Sequence, residues 1–284
     1  MKFLIIPDIH NQWEWAEGLV TAYPDYQPIF LGDYFDSFYD TPAMAAQTAK
    51  WLKHSISCGN RIHLMGNHDL PYRWSHMNCP GYDKLKAAEV RKHLTADDWM
   101  KVLFYHVITP DDGKRPLILS HAGFTLANLY GVADYRDVSR GGRLSFLRER
   151  QTDEHLREIG YGAAEALQAA YAQKEHFWFN QGTRMGERNV GGPFWIDFRE
   201  IHSPLPGIDQ IVGHTIIRNG PLCHYYPNKA KPEFKWWCID VADSFAAIVD
   251  TEEEDQGGMK ITPIHARGEL FGQQMKEHQL WVWT

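Results

Sequence analysis

The sequence predicts an α/β sandwich of mixed sheets, and three observations predict it. Short apolar runs recur along the chain, helical patterns lie between the early runs, and strand-like runs succeed one another late in the chain. Phe3 to Ile6, Ile29 to Leu31, Ile62 to Met65, Leu117 to Leu119 and Ile211 to Val212 each read as a buried strand of a covered sheet. Trp236 to Val241, Phe245 to Val249 and Lys260 to Ile264 follow as closely spaced strands. The acidic stretch Thr251 to Gly258 joins the last two as a hairpin. Among the helical patterns, Thr41-Pro42 offers an N-cap and a proline at the first helical position. Met44, Ala45, Thr48, Trp51, Leu52 and Ile56 follow at helical spacing, and Cys58-Gly59 stops the run. A second helix is expected over Asp153 to His176, weakened at Gly160 and Gly162.

Composition bounds the rest. A chain of 284 residues, 44% hydrophobic and 23% charged, builds a sizeable core and is not a disordered or coiled-coil protein. No repeat or low-complexity linker marks a second domain. The expectation is one domain over 1–284, with an arginine- and glycine-rich cap inserted at about 124–207. A net charge of −7 argues against a general nucleic-acid binder, which needs cations for phosphates. No apolar run approaches the roughly 20 residues of a membrane span, and the opening apolar stretch is too short for a leader. Cys58, Cys79, Cys223 and Cys238 form no C-x-x-C pair and read as reduced thiols of a cytoplasmic protein.

The chemistry lies at the ends of the apolar runs. Phe3 to Pro7 leads into Asp8-Ile9-His10, and Ile29 to Leu31 into Gly32-Asp33-Tyr34-Phe35-Asp36. Ile62 to Met65 leads into Gly66-Asn67-His68-Asp69, Leu117 to Ser120 into His121-Ala122-Gly123, and Ile211-Val212 into Gly213-His214-Thr215. Parallel strands would place these clusters along one rim, where open α/β sheets bind ligands. Asp8 and His10, two apart, would share a strand face, and Gly32, Gly66 and Gly213 would permit sharp turns. Carboxylates, imidazoles and an amide, without thiolate, suit Mn²⁺, Fe²⁺ or Zn²⁺. Six candidate ligands suit two ions sharing one carboxylate. Any one cluster alone is ordinary turn chemistry; five in series, each behind its own strand, are a metal site. His63, inside an apolar run, reads instead as a core histidine.

These motifs resemble the calcineurin-like metallophosphoesterases, nearest the branch of serine/threonine protein phosphatases and symmetrical diadenosine tetraphosphate hydrolases. The resemblance rests on Asp8-Ile9-His10, Gly32-Asp33-x-x-Asp36, Gly66-Asn67-His68-Asp69, Ser120-His121-Ala122-Gly123 and Gly213-His214-Thr215, which frame residues 1 to about 250. It implies a four-layer α/β/β/α sandwich with a dinuclear site at the C-terminal strand ends. Asp8 and His10 would hold one ion and Asn67, His121 and His214 the other, with Asp33 bridging. His68 would protonate the leaving group, oriented by Asp36.

Two positions depart from that branch. Ser37 stands where a phosphate-gripping arginine follows the second aspartate, and Asp197 of Trp195-Ile196-Asp197 stands where a later arginine is expected. Replacement anchors are sought among Arg140, Arg143, Arg188 and Arg199, although a solvated face is the commoner fate of such residues. The leading expectation is a two-metal phosphomonoesterase, with Mn²⁺ as the expected ion, acting on a phosphorylated small molecule or phosphoprotein. Hydrolysis of a dinucleoside polyphosphate or another nucleotide is the alternative. A non-catalytic metal-binding module stands third, because such a module needs no leaving-group acid.

Overall fold

The computed structural model describes residues 1–110, 114–125, 181, 191–200, 208–226, 234–242 and 244–265. Two mixed five-stranded sheets form the frame. The first runs β10-β9-β1-β2-β3, with β1 (Lys2–Ile6), β2 (Gln27–Phe30), β3 (Ile62–His63), β9 (Phe245–Asp255) and β10 (Gly258–His265). The second runs β4-β5-β6-β8-β7, with β4 (Tyr105–Ile108), β5 (Leu117–Ser120), β6 (Asp209–Val212), β7 (Leu222–Tyr226) and β8 (Phe234–Cys238). Strands β1, β2 and β3 are mutually parallel, as are β5, β6 and β8.

The period of two in each strand divides its side chains between layers. Phe3 and Ile5 of β1 enter the core between the sheets with Ile29, Leu117, Leu119, Ile211, Trp237 and Val249. Leu4 and Ile6 point the other way, onto a helical layer that contains Ala16, Leu19, Ala45, Ala49 and Leu52. That layer comprises α1 (Trp13–Ala22) and α2 (Pro42–Ser57), with α3 (Leu70–Arg73), α4 (Lys84–Arg91) and α5 (Ala96–Trp99) alongside. Helix α2 starts as the sequence predicts: the Thr41 hydroxyl accepts the Met44 amide at 3.3 Å, and Pro42 opens the first turn. On the outer face of the second sheet, Val212, Trp236 and Cys238 pack against Ala122, Ile196 and Phe198. The helix expected at Asp153 to His176 and most of the 124–207 cap lie outside the described residues.

The structure differs from the sequence reading in several elements. The acidic stretch Thr251 to Gly258 is mostly strand: β9 continues to Asp255, and only Gln256 and Gly257, both at positive φ, make the turn. Glu252, Glu253 and Glu254 can occupy a strand because they stay exposed. Helices α1, α3, α4 and α5 and the strands β4 and β7 have no counterpart in the sequence reading. Among the described residues, no helix is long and apolar enough to cross a membrane.

Candidate metal centre

The five clusters meet on a rim supplied by both sheets, not by one. Three follow β1, β2 and β3 of the first sheet, and two follow β5 and β6 of the second. Asp8 and His10 lie beyond the end of β1, so strand alternation does not aim them. Instead the chain bends as the amides of Ile9 and His10 donate to the Asp33 carbonyl at 3.1 and 2.7 Å. His10, Asn11, Asp33, Asp36 and His214 all have positive φ. Backbone of this kind is costly for residues with a Cβ and gathers at functional sites.

Gly66 and Gly213 serve close approach. A Cβ on Gly66 would stand 2.1 Å from Asp33 Oδ1, and one on Gly213 would stand 2.1 Å from Asp8 Oδ1. Neither glycine is among the positive-φ residues, so space, and not turning, is what these positions require.

Each aspartate is oriented by backbone amides. Asp8 takes the His214 amide at 3.0 and 3.1 Å on its two oxygens. Asp33 Oδ1 takes the His68 amide at 2.8 Å. The fully buried Asp69 accepts the amides of Asp33 and Gly66 on Oδ2 and that of Tyr34 on Oδ1, all at 2.8 Å. It thereby ties the turn after β3 to the turn after β2.

The histidine tautomers follow from their partners. A carbonyl only accepts, so Nδ1 of His10, 2.9 Å from the Phe35 carbonyl, and Nδ1 of His121, 3.0 Å from that of Leu31, carry the protons. Each ring then turns Nε2 inward. His121 Nε2 lies 2.7 Å from Asn67 Oδ1, 3.1 Å from His214 Nδ1 and 3.3 Å from Asp33 Oδ2. His214 Nδ1 lies 2.9 Å from Asn67 Oδ1, whose amide nitrogen is directed to Cys79 Sγ at 3.4 Å. On the other side of Asp33, His10 Nε2 is 3.8 Å from Asp33 Oδ2 and 4.0 Å from Asp8 Oδ2.

Lone-pair atoms at such distances call for a cation among them. Ligands bonded to one ion at about 2.1 Å stand about 3.0 Å apart at right angles and about 4.2 Å apart across it. The separations on both sides of Asp33 fall close to this range. The residues therefore fit two ions, with Asp33, His121 and His214 as one group and Asp8, His10 and Asp33 as the other.

Electrostatics agree. Burial opposes charge on Asp33, but His121, His68 and His10 outweigh it and hold the carboxyl well below the usual carboxylate range. Burial likewise opposes charge on His121, yet Asp33 and Asp8 hold its imidazole up at about 9. The rim draws positive charge.

His68 and Asp36 also come together. His68 Nδ1 is 3.4 Å from Asp36 Oδ2, and the His68 ring meets that of His10 edge-on at a centroid distance of 5.2 Å. Asp36 Oδ1 accepts the Tyr72 hydroxyl at 2.6 Å and the Lys86 ammonium at 2.7 Å. Neither Tyr72, Lys86 nor the role of Asp69 emerges from the sequence reading; an acid in the turn after a strand was the only available signal. Ser37 Oγ receives the Asn11 amide at 3.4 Å. The Arg199 guanidinium forms a two-pronged pair with Asp197, Nε to Oδ1 at 2.8 Å and Nη2 to Oδ2 at 2.7 Å. Arg140, Arg143 and Arg188 lie outside the described residues. His63 is the core histidine expected, 3.0 Å from both the Tyr34 hydroxyl and Ser55 Oγ.

No curated protein matches the sequence significantly. A mutant of a cold-active protein tyrosine phosphatase is similar in structure at 13% identity, over 87% of this chain and 74% of that one, with a TM-score of 0.42. A hypothetical protein from Pyrococcus horikoshii OT3 is similar at 10% identity, over 93% and 87%, with a TM-score of 0.44. A serine/threonine phosphatase from Saccharomyces cerevisiae is similar at 12% identity, over 98% and 81%, with a TM-score of 0.43. The calcineurin-like phosphoesterase family matches residues 1–216, which contain every residue of the two ligand groups. By that match, this chain belongs to the calcineurin-like phosphoesterase family.

Proposed function

We propose that this metal-dependent phosphoric ester hydrolase cleaves phosphomonoesters, with Asp33 shared between two ions. Asp8 and His10 complete the site of one ion, and Asn67, His121 and His214 that of the other. The observation that carries this reading is the position of Asp33 Oδ2, 3.3 Å from His121 Nε2 and 3.8 Å from His10 Nε2. Mn²⁺ is the proposed ion, because oxygen and imidazole donors without thiolate suit it. When bound, the ions neutralise phosphoryl charge and make hydroxide available near neutral pH.

The chain's own groups do the rest. Asp36 holds His68 by Nδ1, which leaves Nε2 to deliver a proton to the departing alcohol oxygen. The amides of His214 and His68 fix Asp8 and Asp33, so the ligand oxygens need no reorganisation during the reaction. Ser37 and Asp197 stand at the two positions where arginine is expected, and the Arg199 guanidinium beside Asp197 is tied to its carboxylate. A single phosphoryl group matches that arrangement better than a polyphosphate. Hydrolysis of a dinucleoside polyphosphate would instead draw on Arg140, Arg143 and Arg188 in a cap at 124–207, carried by the one domain. The free thiols Cys58, Cys79, Cys223 and Cys238 favour a reducing, cytoplasmic setting.

A panel with Mn²⁺ tests the substrate class: an aryl phosphate, a phosphopeptide, a diadenosine polyphosphate and a cyclic nucleotide. Turnover of the first two above the others is the expected result, and preference for the diadenosine compound would overturn it. His68→Ala should lower kcat for alkyl phosphates about 10²–10⁴-fold, with activated aryl esters affected far less. Equal losses would remove His68 as the acid.

A further inference from the structure

We infer that Lys86 is a positioning residue for proton delivery, holding Asp36 so that its second oxygen stays on His68. The inference rests on the reading of His68 as the leaving-group acid.

Lys86 projects from α4, whose first turn is capped by Asp83 through the Leu85 and Lys86 amides at 2.7 and 3.2 Å. Its side chain is only 7% exposed. Burying an ammonium is costly unless every N–H finds an acceptor, and here three acceptor groups meet three N–H bonds. Nζ lies 2.7 Å from Asp36 Oδ1, 3.0 Å from each Asp40 oxygen and 2.6 Å from the Gly81 carbonyl.

The consequence falls on Asp36. Its side chain is fully buried, and its backbone has a φ of 65°. Oδ1 is taken by Lys86 and Tyr72, so Oδ2 is the oxygen left to His68 Nδ1. At the back, a Cβ on Gly81 would come within 3.0 Å of Asp36 Cβ. Lys86 and Tyr72 thus hold one carboxylate oxygen, and the backbone of Gly81 lies close behind the side chain. Without Lys86, two buried carboxylates would share no cation, and Asp36 would be free to turn toward Tyr72 alone.

Lys86 also joins this couple to the loop of His10. Asp40 accepts the Asn11 amide at 3.2 Å, and Asn11 Oδ1 accepts the Thr48 hydroxyl at 2.8 Å. None of the ammonium's partners is a candidate ion ligand. Its loss should therefore affect protonation of the leaving group, and not binding of the phosphoryl group.

Lys86→Met in the full chain tests this, with kcat and KM measured at one pH and saturating Mn²⁺ for p-nitrophenyl phosphate and an alkyl phosphate. The alkyl ester should slow about 10–100-fold and the aryl ester by less than about 3-fold, a fraction of the full acid's contribution. KM should stay unchanged for both. The ratio of the two rates does not depend on how much enzyme is folded. Should Lys86→Met fail to fold, Lys86→Gln carries the same comparison with a smaller shift. Asp40→Asn, which leaves the contact between Lys86 and Asp36, should keep the ratio of the native enzyme. Equal losses on both esters, or none, in a background where His68→Ala discriminates between them, overturn the role of Lys86. If His68→Ala does not discriminate, the acid assignment fails, and this inference fails with it.

Discussion

The Asp69 carboxylate holds Asp33 by its backbone: Oδ2 accepts the Asp33 amide at 2.8 Å while the same oxygen takes the Gly66 amide at 2.8 Å. The residue shared by both proposed ions is therefore placed from a turn 36 residues further along the chain. Asp69→Ala would leave three buried amides without acceptors, at about 1–3 kcal/mol each before relaxation. Urea unfolding should show a loss of at least about 3 kcal/mol, with weaker binding of the ions. Unchanged stability and stoichiometry would show that the clamp has no effect.

Asp33→Asn keeps the shape of the shared ligand and removes its charge. Metal analysis should find fewer than two ions per chain, and turnover should fall about 10²–10³-fold, as when a major electrostatic element is removed. A variant that retains two ions and native turnover would sink the bridging role.

Arg115 and Asp209 fasten the second sheet to the hairpin of the first. Arg115 Nε donates to Asp209 Oδ1 at 3.0 Å, and Nη1 donates to the Gln256 carbonyl at 2.7 Å. Both side chains are buried, so Arg115→Leu leaves a carboxylate without its cation and should cost about 3–5 kcal/mol in urea unfolding. Adding Asp209→Asn should recover part of that loss. If the double variant is less stable than Arg115→Leu, the penalty does not come from the stranded charge.

His63 makes the fold sensitive to acid. Burial, helped by Arg61, lowers its pKa to about 3, against 6.5 for an unperturbed histidine. The unfolded chain thus takes up a proton near pH 6.5 that the folded chain refuses until about pH 3. Its contribution is complete above pH 6.5 and is lost as pH falls between those values. The slope reaches about 1.4 kcal/mol per pH unit. Urea unfolding of the metal-free protein from pH 7.5 to 4.5 should show a shallower pH dependence for His63→Gln than for the native chain, by about one proton. Parallel curves would exclude His63 as the source.

Much of the candidate site was legible in the sequence because its candidate ligands follow buried strands. Ile5 and Ile6, Ile29 and Phe30, or Ile211 and Val212 are fully buried and apolar, and such runs have few readings other than a covered strand. The residues missed lie where burial is incomplete or the signal is indirect. β4 and β7 are the edges of the second sheet, and Tyr105, His106 and Leu222 there are only half-buried. Helix α1 follows Gln12, whose side chain does not cap it, so no start signal announces it. Lys86 has the look of a solvated helix lysine, because nothing in its own turn reveals the two carboxylates above it.

By itself the sequence determined which candidate donors exist and in what order: Asp8, His10, Asp33, Asn67, His121 and His214, each following the end of a strand. Tertiary structure alone decided that they converge, since Asp8 meets the amide of His214 across 206 residues only once the two sheets have packed. It also decided which groups each strand-end acid faces. Asp69 and Asp36 both sit in strand-end turns, and their roles differ because one faces backbone amides and the other faces His68, Tyr72 and Lys86. Local sequence fixes what a side chain can donate or accept. Only the packed fold supplies its partner.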